Sequence, residues 1–151
     1  MLNEYAPYEE LMNKTRVLFL CTGNSARSQM AEALTRQYAG DRFEVYSAGL
    51  EPKGIHPLTR QVLAEVGLDM RGQTSKDLAQ FLGQVHFGYL ITVCSNAEAR
   101  CPVFPGMGTR LHWPFDDPAA STGNEADQLA GFRRVRDEIS ARIQAWLQTN
   151  P

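Results

Sequence analysis

The sequence has 151 residues, of which 43% are hydrophobic and 21% charged, enough for one globular domain that buries a core without disulfides or metals. Its 15 basic and 17 acidic residues give a formal net charge of −2 and form no basic stripe, which excludes the usual kind of nucleic-acid-binding surface. No apolar run is long enough to span a bilayer, and the acidic N-terminus does not resemble a signal peptide, so we expect a cytoplasmic protein with no membrane partner.

Strand and helix patterns alternate along the chain. Residues 1–13 show neither periodicity and are expected to form a loose extension to a single domain spanning residues 14–151. In chain order we predict a strand at 15–20, a helix around 30–39, a strand at 43–47, a helix at 57–66, a weaker helix at 76–82, strands at 89–93 and 109–112, and a long helix at 129–146. This alternation predicts an α/β fold, a three-layer sandwich in which a four-stranded parallel sheet is flanked by helices.

The first strand leads into a loop that is expected to bind an oxyanion. Its residues are Cys21, Thr22, Gly23, Asn24, Ser25, Ala26, Arg27 and Ser28. Backbone N–H groups between a strand and a helix can converge on an anion, and the helix dipole adds positive potential there. The guanidinium of Arg27 can bind two of the anion's oxygens, and the positive potential favours the thiolate of Cys21. Cys21 is therefore the predicted nucleophile of an enzyme that acts on a tetrahedral oxyanion, with Ser28 donating a hydrogen bond to the thiolate and Asn24 bracing the loop.

A turn that contains Asp116, Asp117 and Pro118 offers a proton donor. In a parallel sheet this turn, Cys21 and Cys94 all fall beyond the carboxyl ends of the strands, where ligands bind. A protonated carboxyl near the anion can give its proton to the departing oxygen. Asp-Pro is also a common turn signal, so the pair alone leaves open that both aspartates are ordinary turn residues.

The loop and the segment Gln29-Met30-Ala31-Glu32-Ala33 that follows it resemble the low-molecular-weight protein tyrosine phosphatase family and, within it, the thioredoxin-coupled arsenate reductases. The likeness runs from residue 15 to the final helix and includes Tyr46-Ser47-Ala48-Gly49 and Gln73-Thr74-Ser75. It implies that Asp117, directly before the proline, is the general acid. It also implies that Cys94 and Cys101 form a redox segment.

The resemblance implies a relay of three thiols for arsenic detoxification. Cys21 attacks arsenate, Cys94 attacks Cys21 and releases arsenite, and Cys101 attacks Cys94. Thioredoxin, the external reductant, then reduces the Cys94-Cys101 disulfide; no cofactor is bound, phosphate and sulfate compete with arsenate, and a monomer is expected. If residues 94–101 are helical, seven steps of ~1.5 Å separate the two Cα atoms by about 10 Å, whereas a disulfide tolerates at most ~7 Å. We therefore expect this segment to unwind on oxidation.

Two other functions use the same loop. A phosphatase that hydrolyses phosphomonoesters through a phosphocysteine needs only Cys21, Arg27, an acid and water, and weak phosphatase activity is compatible with a reductase. A non-catalytic oxyanion or redox sensor is the third hypothesis. The residues alone also leave open that Cys94 and Cys101 are a pair of inert core thiols. Tyrosine-specific relatives usually carry tyrosines after the Asp-Pro pair, whereas Ala119-Ala120-Ser121 follow here, which favours a small free oxyanion.

Some reductases of this family bind a potassium ion beside the loop. Asn24, Glu32, Ser47 and Thr74 match positions that are used there. The acidic ligand is replaced by Lys76, whose ammonium group is itself a compact cation and can take the place of the ion's charge. We therefore expect no resident metal and no potassium requirement.

Overall fold

The computed structural model describes residues 14–103 and 107–150, and the expected N-terminal extension at 1–13 lies outside this range. Within it, the strands are β1 Thr15–Cys21, β2 Phe43–Gly49, β3 Phe87–Thr92 and β4 Met107–His112. The α-helices are α1 Arg27–Ala39, α2 Pro57–Ala64, α3 Ser95–Arg100 and α4 Glu125–Thr149, and short 3-10 turns lie at Leu78–Gln80 and Pro118–Ala120. None of the helices described has the length and apolar character needed to cross a bilayer.

The described strands form one parallel sheet in the order β2-β1-β3-β4. The central strand β1 carries the uninterrupted apolar run from Val17 to Leu20, and all four of these side chains are fully buried. A strand with neighbours on both edges and cover on both faces needs such a run. The predicted α/β fold with a four-stranded parallel sheet flanked by helices is confirmed.

The two faces of the sheet are covered differently. On one face α1, α2 and α4 pack together, and Phe43 of β2 lies against Trp146 of α4 with ring centroids 5.3 Å apart. Successive side chains of a strand point to opposite faces, so Tyr46 lies on the other face, where its ring meets Phe81 at 5.5 Å. Right-handed crossovers also put α1 and α3 on opposite faces, because β1 to β2 and β3 to β4 run in opposite directions across the sheet.

This change of direction creates a crevice at the carboxyl ends of β1 and β3. The chain leaves β1 toward one face and β3 toward the other, so the space between the two strand ends stays open, as is typical of ligand sites in doubly wound sheets. Cys21 is the last residue of β1, and Cys94 is the cap that opens α3 just after β3. Both thiols therefore lie at the edge where the sequence predicted them.

The weaker helix predicted at 76–82 is wrong, since only Leu78–Gln80 forms a single 3-10 turn. The carbonyl of Lys76 accepts a hydrogen bond from Gly49 N at 2.8 Å, which holds the chain extended alongside β2. Helix α2 ends at Ala64, earlier than the predicted 66, and Val66 follows it with 47% exposure. Periodicity alone did not reveal the hydrogen bond from Gly49 or the earlier end of α2.

Candidate active site

The thiol of Cys21 lies at the base of the predicted loop and is almost fully buried, with 2% exposure. Its Sγ accepts a hydrogen bond from the backbone N–H of Asn24 at 3.1 Å. The hydroxyl of Ser28, in the first turn of α1, lies 2.7 Å from the same sulfur. When Cys21 is a thiolate, both groups donate to it, so the loop is arranged to stabilise the charged nucleophile.

Asn24 holds the loop in shape. Its backbone has φ +46°, the left-handed region that asparagine tolerates better than most residues, and its side chain is fully buried. The amide Nδ2 donates to Ser28 Oγ at 2.8 Å and to Ser47 Oγ of β2 at 3.0 Å. The amide Oδ1 accepts from Gln29 Nε2 at 3.0 Å and from Lys76 N at 2.8 Å. One side chain thus ties the loop to α1, to β2 and to the segment after Thr74.

A glycine and two glutamines, to which sequence reasoning gave no role, complete this support. A Cβ on Gly49 would lie 2.7 Å from Thr22 O and 2.8 Å from Asn24 N, so only glycine lets β2 end this close to the loop. Gln29 also donates to Thr74 O at 2.8 Å, and Gln73 donates to Gln29 Oε1 at 2.9 Å. The signal of the two glutamines is that they are polar at positions that the fold buries.

Arg27 and Asp117 meet above the loop. The guanidinium donates to Phe115 O at 3.2 Å, and its other terminal nitrogen lies 3.7 Å from Asp117 Oδ2. The Arg27 side chain is 15% exposed and that of Asp117 is 44% exposed, so the carboxyl stands at the entrance. Asp116 instead pairs with Arg134 of α4 at 3.3 Å. The structure therefore separates the two aspartates and turns only Asp117 toward Arg27.

These groups share one cavity of about 560 Å³. Its walls include the loop residues from Cys21 to Arg27 except the buried Asn24 and, from other segments, Lys53, His56, Asn96, Asp117 and Ala119. The stem of Lys53 passes over Gly23, where a Cβ would lie 3.2 Å from Lys53 Cδ. Two cationic side chains, Arg27 and Lys53, therefore line a space large enough for a tetrahedral oxyanion.

Cys94 lies directly against this loop. Its sulfur is 3.4 Å from the hydroxyl of Thr22 and accepts a hydrogen bond from Ala97 N at 3.3 Å. Asn96 Nδ2 donates to the same Thr22 hydroxyl at 2.8 Å, which fixes α3 to the loop. A second thiol, 3% exposed, is thus built next to the first.

Cys101 lies at the opposite end of α3, as its C-terminal cap. The segment between the two cysteines is helical at Ser95–Arg100, as the expected unwinding on oxidation requires. Cys101 is 8% exposed, and burial raises the pKa of its thiol. All three cysteines are free thiols, and in this conformation the length of α3 separates Cys101 from Cys94.

Lys76 lies among the side chains that the resemblance offered as a potassium site. Its Nζ lies 3.7 Å from Glu32 Oε1 and donates to Thr74 O, and Ser47 Oγ donates to the same Glu32 oxygen at 2.6 Å. Burial lowers the pKa of Lys76, while Glu32 opposes that shift. An added cation would face this ammonium group, so these residues do not fit a potassium ion.

We predict that potassium does not stabilise the wild-type protein and does stabilise Lys76→Asp. At equal ionic strength, the melting temperature of the wild type should agree in potassium and sodium chloride to within about 1 °C. The aspartate variant places a second carboxylate beside that of Glu32, and the pair attracts a cation. Potassium should therefore raise the melting temperature of this variant by about 2 °C or more. Potassium stabilisation of the wild type would show that the lysine does not replace the ion.

Asn24 stabilises the loop through its side-chain hydrogen bonds and through its tolerance of a positive φ, and two substitutions separate these contributions. Asn24→Ala loses the hydrogen bonds and leaves buried partners unpaired, which should lower the free energy of unfolding by about 2–4 kcal/mol in urea titrations. Asn24→Gly loses the same bonds but accepts a positive φ, so it should be the less damaging change by about 1 kcal/mol. Equal losses would mean that backbone strain contributes nothing at this position.

Comparison with known proteins covers nearly the whole chain. Residues 16–150 match the family model described as low molecular weight phosphotyrosine protein phosphatase. The arsenate reductase of Halalkalibacterium halodurans is 46% identical over 138 residues, 91% of this chain and 99% of that protein. A solved arsenate reductase in the phosphate binding state is 29% identical with a TM-score of 0.72, covering 89% of this chain and 98% of that one. The thioredoxin-dependent arsenate reductase of Corynebacterium glutamicum is 29% identical with a TM-score of 0.69, covering 95% of this chain and 65% of that one.

The family match spans the described sheet from the second residue of β1 onward, together with the oxyanion loop and the closing helix. The resemblance seen first in the loop motif therefore holds along the length of the fold. The chain belongs to the low molecular weight phosphotyrosine protein phosphatase family.

Proposed function

We propose that this protein reduces arsenate to arsenite through Cys21, Cys94 and Cys101, with thioredoxin as the reductant. The observation that carries the proposal is the position of Cys94, whose sulfur lies 3.4 Å from the hydroxyl of Thr22 in the oxyanion loop. Hydrolysis has no use for a second thiol there, whereas reduction by thiols requires one. The names of the relatives, arsenate reductases over nearly the full chain, support the same substrate.

Arsenate binds in the loop as a tetrahedral oxyanion. The backbone N–H groups of the loop and the guanidinium of Arg27 surround its oxygens, and Lys53 adds a second positive charge at the wall of the cavity. Phosphate and sulfate have the same shape and compete for the site. A solved relative is described in a phosphate-binding state, which supports an oxyanion site in this fold.

In the first step the thiolate of Cys21 attacks arsenic and displaces one oxygen. The Asn24 N–H and the Ser28 hydroxyl hold the thiolate before attack. Asp117, standing at the entrance beside Arg27, gives its proton to the departing oxygen, which leaves as water. The product is arsenic(V) bound to the sulfur of Cys21.

In the second step the thiolate of Cys94 attacks the sulfur of Cys21. A Cys21-Cys94 disulfide forms, the sulfur–arsenic bond breaks, and its electron pair stays on arsenic, which leaves as arsenite. The thiolate of Cys101 then attacks Cys94, so that the Cys94-Cys101 disulfide forms and Cys21 returns as a thiolate. Two thiols have lost two electrons and arsenic has gained two.

The Cys94-Cys101 disulfide must be reduced before the next turnover. A thioredoxin dithiol does this by exchange, and the similarity to a thioredoxin-dependent arsenate reductase supports that partner. Cys21, Arg27, Cys94, Cys101 and Asp117 all come from one chain, so a monomer suffices for the proposed mechanism. Its dependence on free thiols suits the cytoplasm, where thioredoxin keeps cysteines reduced.

Phosphatase chemistry is the competing function, since Cys21, Arg27 and Asp117 suffice for it. A phosphotyrosine ring needs an aromatic wall, but the residue that lines the cavity just after the Asp-Pro pair is Ala119. This wall suits a small free oxyanion better than an aryl ester. Any phosphatase activity is therefore expected to be weak.

Arsenate-dependent oxidation of NADPH, coupled through thioredoxin and its reductase, tests the relay. The wild type should turn over, and Cys21→Ser, Cys94→Ser and Cys101→Ser should each lose at least about 100-fold in steady-state rate, because each removes one sulfur of the sequence. Asp117→Asn should keep all three thiols and lower kcat by about 10²-fold or more, as the loss of a general acid does.

Hydrolysis of p-nitrophenyl phosphate by the same variants provides the control. Whatever activity the wild type has should vanish in Cys21→Ser and survive in Cys101→Ser, since the third thiol plays no part in hydrolysis. Arsenate turnover in Cys101→Ser at the wild-type rate would contradict the three-thiol relay. Aryl-phosphate hydrolysis without arsenate turnover in the wild type would favour the phosphatase.

A further inference from the structure

A group of polar side chains from β3, β4 and α3 holds helix α3 against the sheet. We call it the α3 latch, and its members are Thr92, Glu98, Arg110 and His112. The hydroxyl of Thr92 donates to Glu98 Oε2 at 2.5 Å and lies 2.8 Å from His112 Nδ1. Arg110 Nη2 is 3.3 Å from the same carboxylate oxygen, and His112 Nδ1 is 3.8 Å from it.

Arg110 also binds the backbone of the helix. It donates to Glu98 O at 2.7 Å and to Cys101 O at 3.4 Å. Carbonyls in the last turn of a helix lack partners within it, so this guanidinium satisfies groups that would otherwise need water. The latch therefore binds α3 both through the side chain of Glu98 and through backbone carbonyls at the C-terminal end of the helix.

Helix α3 needs this support because it has only six residues. An isolated helix of that length is not stable in water, and only Ala97 among its six side chains is buried. The hydrogen bond from Thr92, and then the charge of Arg110, hold the pKa of Glu98 below its ordinary value. The latch thus stabilises the ionised carboxylate when the helix is folded.

The latch and the disulfide of the relay exclude each other. Cys94 and Cys101 cap the two ends of α3, and seven helical steps keep their Cα atoms about 10 Å apart, beyond the ~7 Å limit for a disulfide. Forming that bond unwinds the helix and carries Glu98 and the carbonyls away from Arg110. The contacts of the latch therefore exist only in the dithiol form.

We infer that Glu98 and Arg110 are positioning residues that set the equilibrium of the Cys94-Cys101 couple, an inference that rests on the proposed relay. By stabilising only the dithiol form, they make the product disulfide easier to reduce. By keeping Cys101 buried, they also keep the third thiol from reacting before Cys94 has entered a disulfide. The latch thus orders the last two exchanges and favours reduction of the product disulfide by the external dithiol.

A redox titration measures this equilibrium without arsenate. In a Cys21→Ser background only Cys94 and Cys101 remain, and the protein dithiol exchanges with oxidised dithiothreitol to give the protein disulfide and reduced dithiothreitol. Glu98→Gln keeps the shape of the side chain and removes the charge. It should shift the equilibrium toward the disulfide by up to about tenfold, which for a two-electron couple corresponds to about 30 mV.

Glu44→Gln is a matched control. Glu44 likewise accepts from a hydroxyl, that of Tyr46 at 2.5 Å, and from an arginine, Arg16 Nε at 3.0 Å. Its side chain is 44% exposed, compared with 36% for Glu98, but it lies on β2, at the other edge of the sheet. This substitution should leave the thiol–disulfide equilibrium unchanged.

Alkylation of Cys101 by iodoacetamide in the reduced protein is a second readout. Cys101 should react several-fold faster in Glu98→Gln than in Glu44→Gln, because it is reached only when α3 opens. Equal titration midpoints in Glu98→Gln and its parent, or equal Cys101 alkylation rates, would overturn the latch while the relay stands. A parent protein that forms no Cys94-Cys101 disulfide at any dithiothreitol ratio would overturn the relay, and the redox role of the latch with it.

Discussion

Parallel pairing of β1 with β3, in a register that aligns Leu20 with Thr92, is the constraint on which the site depends. It brings the ends of the two strands together. Cys21 follows Leu20 on β1, and Val93 and Cys94 follow Thr92 on β3. Because the chain leaves the two strands toward opposite faces, the space above them stays open. The oxyanion loop and helix α3 are then neighbours across that space, with the hydroxyl of Thr22 3.4 Å from the sulfur of Cys94.

The oxyanion loop and helix α3, which flank this opening, are held in different ways. The oxyanion loop is fixed by the buried side chain of Asn24, and the ammonium group of Lys76 lies beside Glu32. Helix α3, in contrast, has little buried apolar surface and is retained by hydrogen bonds that Thr92 and Arg110 donate to Glu98. The difference suits the proposed chemistry, in which the loop binds the same anion shape in every cycle while α3 must open and close.

The sequence predicted those features whose physical cause is local. The apolar run at 17–20 predicted the first strand, and the loop from Cys21 to Ser28 predicted the oxyanion site, because both depend on neighbouring residues. The bonds of Asn24 to Ser47 and Lys76 join residues 23 and 52 positions apart, so no pattern within the loop announces them. The helix predicted at 76–82 failed for a similar reason, since a hydrogen bond from Gly49 keeps Lys76 extended.

Resemblance and geometry contributed different parts of the site. The roles of Cys94, Cys101 and Asp117 came from the family pattern, because spacing alone left inert thiols and ordinary turn residues open. The structure then distinguished Asp117, beside Arg27, from Asp116, beside Arg134. The α3 latch had no sequence signal, because Glu98 and Arg110 lie on different elements and only the fold pairs them.

A single turnover of Cys101→Ser with arsenate tests the central claim most directly. Without the third thiol the proposed relay stops after the second step, so each protein molecule should release one arsenite and hold a Cys21-Cys94 disulfide that peptide mass spectrometry can map. The Cys94→Ser protein should release none. Arsenite release from Cys94→Ser, or from Cys101→Ser with Cys21 and Cys94 both still reduced, would contradict the account.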